Sequence, residues 1–461
     1  MSCPRVTGPL RRCLILGLGL ILGIDAAQAA DSSTIPLDLA MTAPTIQPVP
    51  ETGASSSINA ASQNQILLAQ PALPVNSTTN GPLVDASNQH KFYTFSAELR
   101  ETYDDNVNTT EFNRQSALET TLSPSVLVAF PMENTSFSAV YTFNGTYYEY
   151  LNQGGGENLQ YSQSLNATLT HDFSGRFSLN ASDSFNDSPE PNLFGTTGTP
   201  YRNGQNISNA FSAGLSSQWT PIIGTQTTYG NTLVRYSDPD FSASQDSMEN
   251  NASETVSFSV VPTISVNFGG VFDTLTYDQS DRGYTSYSGF VGTSWEALPN
   301  VNTSIRGGGS YTETPQIQAD GSSINSTTVS PYVDLNGSWQ IGERSSLSGD
   351  YSHEITPSDN SGANGQESDR VSSSFSYTIN PQLSTHLQLS YTYSDISGAL
   401  LYQTSQSSYT ETVYAVDVGA SYNFIKFFSF TFDITESGVS SGLPDSNYTR
   451  DQVAFGIRGT Y

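Results

Sequence analysis

Few residues in this chain are of types that do chemistry, and none stands at a spacing that assembles a reactive set. The 461 residues include four histidines and two cysteines. A structural or catalytic zinc site draws its ligands from closely spaced Cys and His pairs, whereas His90, His171, His353 and His386 stand far apart. Covalent catalysis by serine needs a base and an orienting group beside it, and no such trio can be placed. Phosphate-cradling glycine loops are missing from the pattern as well. The densest run of oxygen donors is Asp104-Asp105-Asn106. Asx side chains fold a chain into a turn through their own backbone, and hard cations also take oxygen ligands. The run lacks a complete ligand set, so a turn is favoured over a metal. The expectation is a protein without catalytic residues, cofactor or metal.

The elements that would have to position any chemistry are strands. Phe428, Phe430, Phe432 and Ile434 alternate with Ser429, Thr431, Asp433 and Thr435. Leu387, Leu389, Tyr391 and Tyr393 alternate in the same way with Gln388, Ser390, Thr392 and Ser394. A period of two is a strand with one oily and one wet side. Such segments run from 92–104 to 447–461, about eighteen of them, with sixteen as the lower alternative. Every second connection is short, as at Ser174-Gly175, Asn380-Pro381 and Ile425-Lys426, while the alternate connections are longer and polar. By phase, His171 and His353 fall on the oily side and His386 on the polar side, where a lining role is favoured over that of a general base.

Aromatic placement points the same way. Trp219, Trp295 and Trp339 precede short connections, as do Phe130, Phe173 and Phe424, while Tyr103, Tyr236 and Tyr393 gather near the long ones. Rings with a polar handle concentrate where hydrocarbon meets water, and two opposed bands imply two such boundaries. The polar phase holds hydroxyls and amides rather than the lysines and glutamates of a soluble surface. The fold expected is therefore all-β: a transmembrane antiparallel up-and-down barrel with both termini periplasmic and a water-filled interior.

Three further readings frame the barrel at 91–461. Residues 1–29 read as a secretory signal peptide: Arg5, Arg11 and Arg12 precede an apolar run too short to span a bilayer, followed by small residues suited to cleavage. Cys3 and Cys13 both fall inside it. Residues 30–90, rich in Ala, Ser, Pro and Asn, read as a disordered periplasmic linker, with a short helix near Gln63 to Gln70 as its one candidate element. The net charge of -27 makes nucleic acid an improbable partner. An exported acidic chain of this kind is expected in the outer membrane of a Gram-negative cell.

Two segments resemble known families. The segment Glu101-Thr102-Tyr103-Asp104-Asp105-Asn106-Val107 resembles the opening of the type 2 outer-membrane β-barrel porins, whose relatives include barrels of exopolysaccharide export. The last strand, with Val453, Phe455, Ile457 and the aromatic Tyr461 on one face, resembles the C-terminal strand that barrel-assembly machinery reads, with Phe455 and Tyr461 as the signal. The resemblance implies a porin-like channel for passive diffusion of small hydrophilic solutes, with outer-membrane lipid, those solutes and the assembly machinery as partners. It supplies no catalytic position. Export of a polysaccharide and adhesion through the long loops are the alternatives, and no oligomer interface is legible.

Inward charge remains. By phase, Glu98, Arg100, Arg176, Asp273, Arg306 and Asp334 are expected to line the interior. Asp350, Glu354, Asp417, Asp433, Arg450 and Arg458 join them, with Arg100, Arg450 and Arg458 converging where first and last strands meet. Opposed acids and bases either set up a transverse field that sorts solutes or pair along the wall to satisfy one another. Acids outnumber bases, which predicts a weak cation preference.

Overall fold

The computed structural model describes residues 92–150, 158–189, 205–237, 242, 245–278, 282–298, 300–317, 323–356, 366–397, 408–443 and 446–461. All belong to one unit, Ser57–Tyr461. The segments read as signal peptide and linker, the candidate helix near Gln63 to Gln70, and His90 lie outside the described residues.

Among the described residues eighteen strands form. They are β1 (Tyr93–Asp104), β2 (Ala117–Pro131), β3 (Thr135–Tyr150), β4 (Leu159–Ser174), β5 (Phe177–Ser188) and β6 (Asn206–Thr220). Next come β7 (Ile223–Tyr236), β8 (Ser247–Val261), β9 (Ile264–Tyr277), β10 (Gly283–Leu298), β11 (Val301–Ile317) and β12 (Ser323–Ile341). The ring ends with β13 (Ser345–Thr356), β14 (Gln366–Asn380), β15 (Leu383–Ser397), β16 (Ser408–Ile425), β17 (Phe428–Ser441) and β18 (Tyr448–Thr460). Each strand pairs antiparallel with its sequence neighbours, and β1 pairs with β18 from Ser96↔Thr460 to Asp104↔Gln452. That last ladder closes the ring. Closure leaves no open edge, which matters in lipid because each unsatisfied backbone group there costs several kcal/mol. Phe95 and Tyr461 exchange backbone bonds of 3.1 and 2.8 Å at one end of the seam, and Asp105 N donates to Asp451 O at 3.2 Å near the other.

Connections sort by end. Eight are two or three residues long and meet one rim, while the others span five to seventeen residues on the opposite rim. Asn380 shows how the short ones hold: its Oδ1 accepts the amides of Gln382 and Leu383 at 2.9 and 3.0 Å, an Asx turn. Two in-strand prolines coincide with breaks in the ladder, since proline has no N–H to give. Pairing of β2 with β3 skips Ser123 and Pro124, and pairing of β12 with β13 stops at Val333, two residues from Pro331.

The oily phase faces out. Leu99, Leu122, Trp219, Val291, Trp295, Val418 and Phe455 are each 48–56% exposed, so their exposure is a property of the whole outer face. The buried set is polar instead, with Glu98, Asp104, Thr312, Ser394 and Arg450 at 5% or below. This inverts the arrangement of a soluble sandwich, whose apolar face packs inside.

Geometry requires a glycine where β10 begins. Gly283 opens β10 at φ +129°, and a Cβ there would collide with the carbonyl oxygen of Leu275. Gly283→Ala is expected to lose about 1–3 kcal/mol, read as a drop in the urea midpoint of the refolded barrel. An unchanged midpoint would show that the turn relaxes without cost.

Candidate functional site

The candidate site is the inner wall, and it begins at the seam. Asp104, fully buried, accepts Arg450 Nε at 2.6 Å and Gln452 Nε2 at 3.0 Å, while Arg450 Nη2 lies 2.5 Å away. Glu119 stands 3.9 Å from the same guanidinium. The Asx run therefore staples β1 to β18 and shapes the first long connection. Asp104 Oδ1 accepts the Asn106 amide at 2.8 Å, Asp105 Oδ1 accepts the Asp451 amide at 2.7 Å, and Asn106 Nδ2 donates to Thr449 O at 2.8 Å. The turn reading of these three residues matches their hydrogen bonds.

Further along the seam, Arg100 Nη2 meets Asp433 Oδ2 at 2.9 Å, and Arg100 Nη1 lies 3.8 Å from Glu98. Arg458 Nη2 donates to Ser96 Oγ at 3.3 Å. His386 Nε2 lies 2.7 Å from Asp417 Oδ1. Arg100, Arg450 and Arg458 all lie on the two strands that close the ring, at separate levels of the seam and each against its own partner.

Another arc of the wall carries a second group. Arg306, opposite Asp334 in register, lies with its guanidinium carbon 5.0 Å from the centre of the inward Phe290 ring, which sits 6.0 Å from Tyr332. Phe290 packs over its neighbour Gly269, where a Cβ would press 2.5 Å from the ring. Arg370 Nη2 is 3.8 Å from Asp350. Tyr284 donates to Glu249 at 3.2 Å, and Asp273 and Glu354 occupy the same phase of β9 and β13.

The inner face of β4 differs from both arcs. Asn166, Thr168 and Thr170 alternate with the outward Leu165, Ala167 and Leu169, yet they are exposed. The inner face of the wall, bearing hydroxyls and amides, is therefore open here, while the oily outer face is half-buried. The first long connection leans over this interior: Val107 packs with Ala117 and Tyr148, all buried.

Placement differs from expectation at two positions. Arg176 is exposed on the two-residue connection between β4 and β5 and not on a strand face; the strand begins one residue later than its phase implied. Tyr236 pairs with Asn206 in the inward phase, so it is not part of an outer aromatic band; near a strand end one residue of error in phase reverses the side. Trp219, Trp295, Trp339, Phe130, Phe173, Tyr103 and Tyr393 are outward and exposed, and Phe424 stacks on outward Phe430 at 4.6 Å. His171 lies edge-on to Phe173 at 4.5 Å and bonds Thr135 at 2.7 Å. His353 is flanked by Asp369 and Glu367 at 2.9 and 3.0 Å. Phase reading missed Asp104, Glu119, Glu249, Glu411 and Arg370 on the inner face. Counting by twos inward from mid-strand positions such as Ser123 would have found Glu119.

Comparison with known proteins adds three findings. No curated protein matches the chain. Among solved structures the chain is similar to the outer membrane protein opdK of Pseudomonas aeruginosa, at 12% identity and TM-score 0.43 over 80% of this chain and 99% of that one. It is similar to a BenF-like porin of Pseudomonas fluorescens, at 9% identity and TM-score 0.40 over 80% and 99%. OccAB4 of Acinetobacter baumannii is similar at 9% identity and TM-score 0.38 over 81% and 100%. The family model described as "Putative beta-barrel porin 2" matches residues 323–461, so the run from β12 to β18 carries that family's sequence pattern.

Proposed function

We propose that the chain is a porin-like channel of a Gram-negative outer membrane, through which small hydrophilic solutes diffuse passively. The observation that carries this is the exposed polar inner face of the wall at β4, where Thr168 and Thr170 face an open interior while the half-buried Leu165 and Leu169 face outward. A ring of eighteen strands is wide enough to hold an aqueous channel. The short-turn rim with its three tryptophans is the periplasmic one, as in transmembrane barrels generally, which puts β1 and β18 ends at that side. Phe455 and Tyr461 form the outward signal for the assembly machinery. The first 29 residues act as the export signal and 30–90 as the linker before the barrel.

The inward charges named above line the channel, Arg176 excepted. The acids missed by phase reading make the wall more acidic than expected, and long-range potential in a low-dielectric channel concentrates the opposite sign. A cation preference is therefore expected, read as the reversal potential across a planar bilayer under a salt gradient. A clear anion preference would contradict it.

The test of the function is liposome swelling with neutral sugars of graded size, using the refolded chain. Swelling that declines with sugar size supports diffusion. A folded barrel that passes no sugar would remove the proposal and favour an adhesive role for the long loops.

A further inference from the structure

On the inner face, where β15, β16 and β17 run side by side, three atoms of metal-ligating type converge. His386 Nε2, Asp417 Oδ1 and Asp433 Oδ1 lie within 4.8 Å of one another. The nitrogen is 2.7 Å from the first oxygen and 3.7 Å from the second. One proton on Nε2 serves Asp417 and leaves Asp433 Oδ1 beyond hydrogen-bond reach of that nitrogen.

The other oxygen of each carboxylate is held from outside the group. Thr435 Oγ1 donates to Asp417 Oδ2 at 2.7 Å, and the Arg100 guanidinium forms an ion pair with Asp433 Oδ2 at 2.9 Å. Outer donors of this kind are what orient ligating carboxylates around a metal. Gly419 lies between the parts, opposite His386 on one side and Asp433 on the other. A Cβ there would collide with Asp433 Oδ1 and His386 Cε1, so the three groups can meet only over a glycine.

Charge supplies a further reason. Glu98, Asp417 and Asp433 are buried at 2%, 8% and 4% exposure, and Arg100 is the guanidinium in contact with two of them. Glu98 Oε2 is buried without a hydrogen-bond partner. With His386 neutral the group carries two more negative than positive charges, and buried charge of one sign is costly without compensation. A divalent cation cancels that excess.

We propose that His386, Asp417 and Asp433 bind a first-row divalent cation of the zinc class in the inner wall, with its remaining coordination positions facing the interior. One imidazole nitrogen with two carboxylate oxygens suits zinc and its neighbours, whereas calcium and magnesium take all-oxygen sets. Tetrahedral zinc at its usual bond lengths places ligand atoms about 3.4 Å apart, between the two nitrogen–oxygen separations found here. The site stands or falls apart from conduction, because binding is read on the protein itself.

The experiment titrates Co2+ and then Zn2+ into the full mature chain refolded in detergent, following the visible absorption of Co2+. The wild type is expected to saturate at one equivalent with the strong bands of low-coordinate cobalt, displaced by Zn2+. His386→Ala and Asp433→Asn should each weaken binding at least tenfold, as should Gly419→Ala, which keeps all three ligands but fills the space between them. His353→Ala, which removes the other acid-flanked imidazole, should leave binding unchanged. Folding of each variant is checked by its far-ultraviolet strand signal. A wild type with no saturable cobalt spectrum overturns the proposal, and so does binding that survives in His386→Ala or disappears in His353→Ala.

Discussion

Replacing Arg450 by methionine is expected to destabilise the refolded barrel by about 3–5 kcal/mol, the usual cost of stripping one member from a buried ion pair. The reason lies at the seam. Arg450 is 4% exposed and supplies donors to Asp104, which is fully buried, with Glu119 3.9 Å away. Without the guanidinium, two carboxylates remain inside the wall facing methyl groups. Because Asp104 and Arg450 sit on β1 and β18, the loss falls on the ladder that closes the ring. Urea titration followed by heat-dependent gel mobility measures it. Asp278→Asn gives the comparison: its pair with Arg235 is 43% and 33% exposed, and exposed pairs contribute about 0–1 kcal/mol. The double variant Asp104→Asn with Arg450→Met should recover part of the loss, since no lone charge is left buried. Equal effects at Arg450 and Asp278 would mean that the seam is held by backbone alone.

Val418→Arg should cost about 2–4 kcal/mol, whereas Thr168→Arg should change stability by no more than about 0.5 kcal/mol. Val418 is 48% exposed on the outer face, opposite Leu387 and Ile434. A guanidinium there must enter hydrocarbon. Thr168 is exposed on the inner side of β4, where water receives the charge. Thr168→Arg should instead lower single-channel conductance and shift the reversal potential toward anions. Matched stability losses at the two sites would indicate that both faces meet the same medium.

The barrel was legible because its constraints are local. Phe428 to Thr435 show their two faces without any tertiary information, and Asn380-Pro381 marks a turn by its own chemistry. Eighteen segments so marked gave eighteen strands. The inner wall was most legible in mid-strand, where phase cannot drift, as at Asp334, Asp417 and Asp433. Strand ends were harder: Tyr236 and Arg176 each lie at a boundary, where a shift of one residue changes the side or leaves the wall altogether. Inward Tyr148 and Tyr284 show a second reason. An aromatic near a rim reads as a membrane anchor by type, and only packing against Val107 or Leu275 reveals that it fills the interior. Partners across the closure, such as Asp104 with Arg450, are 346 residues apart, and no spacing rule reaches that far. Gly419 is the plainest case. It reads as a weak point in a strand, and its role depends on His386 and Asp433 reaching over it from both neighbours.

The most direct measurement uses the absence of cysteine from residues 31–461. Single cysteines at Ala167 and Thr168, adjacent on β4 and pointing to opposite faces, are exposed to a charged, water-soluble thiol reagent in lipid vesicles. An oily wall around a wet interior requires rapid labelling of Thr168→Cys, with a fall in conductance, and protection of Ala167→Cys by lipid. Labelling of Ala167→Cys with protection of Thr168→Cys would contradict it.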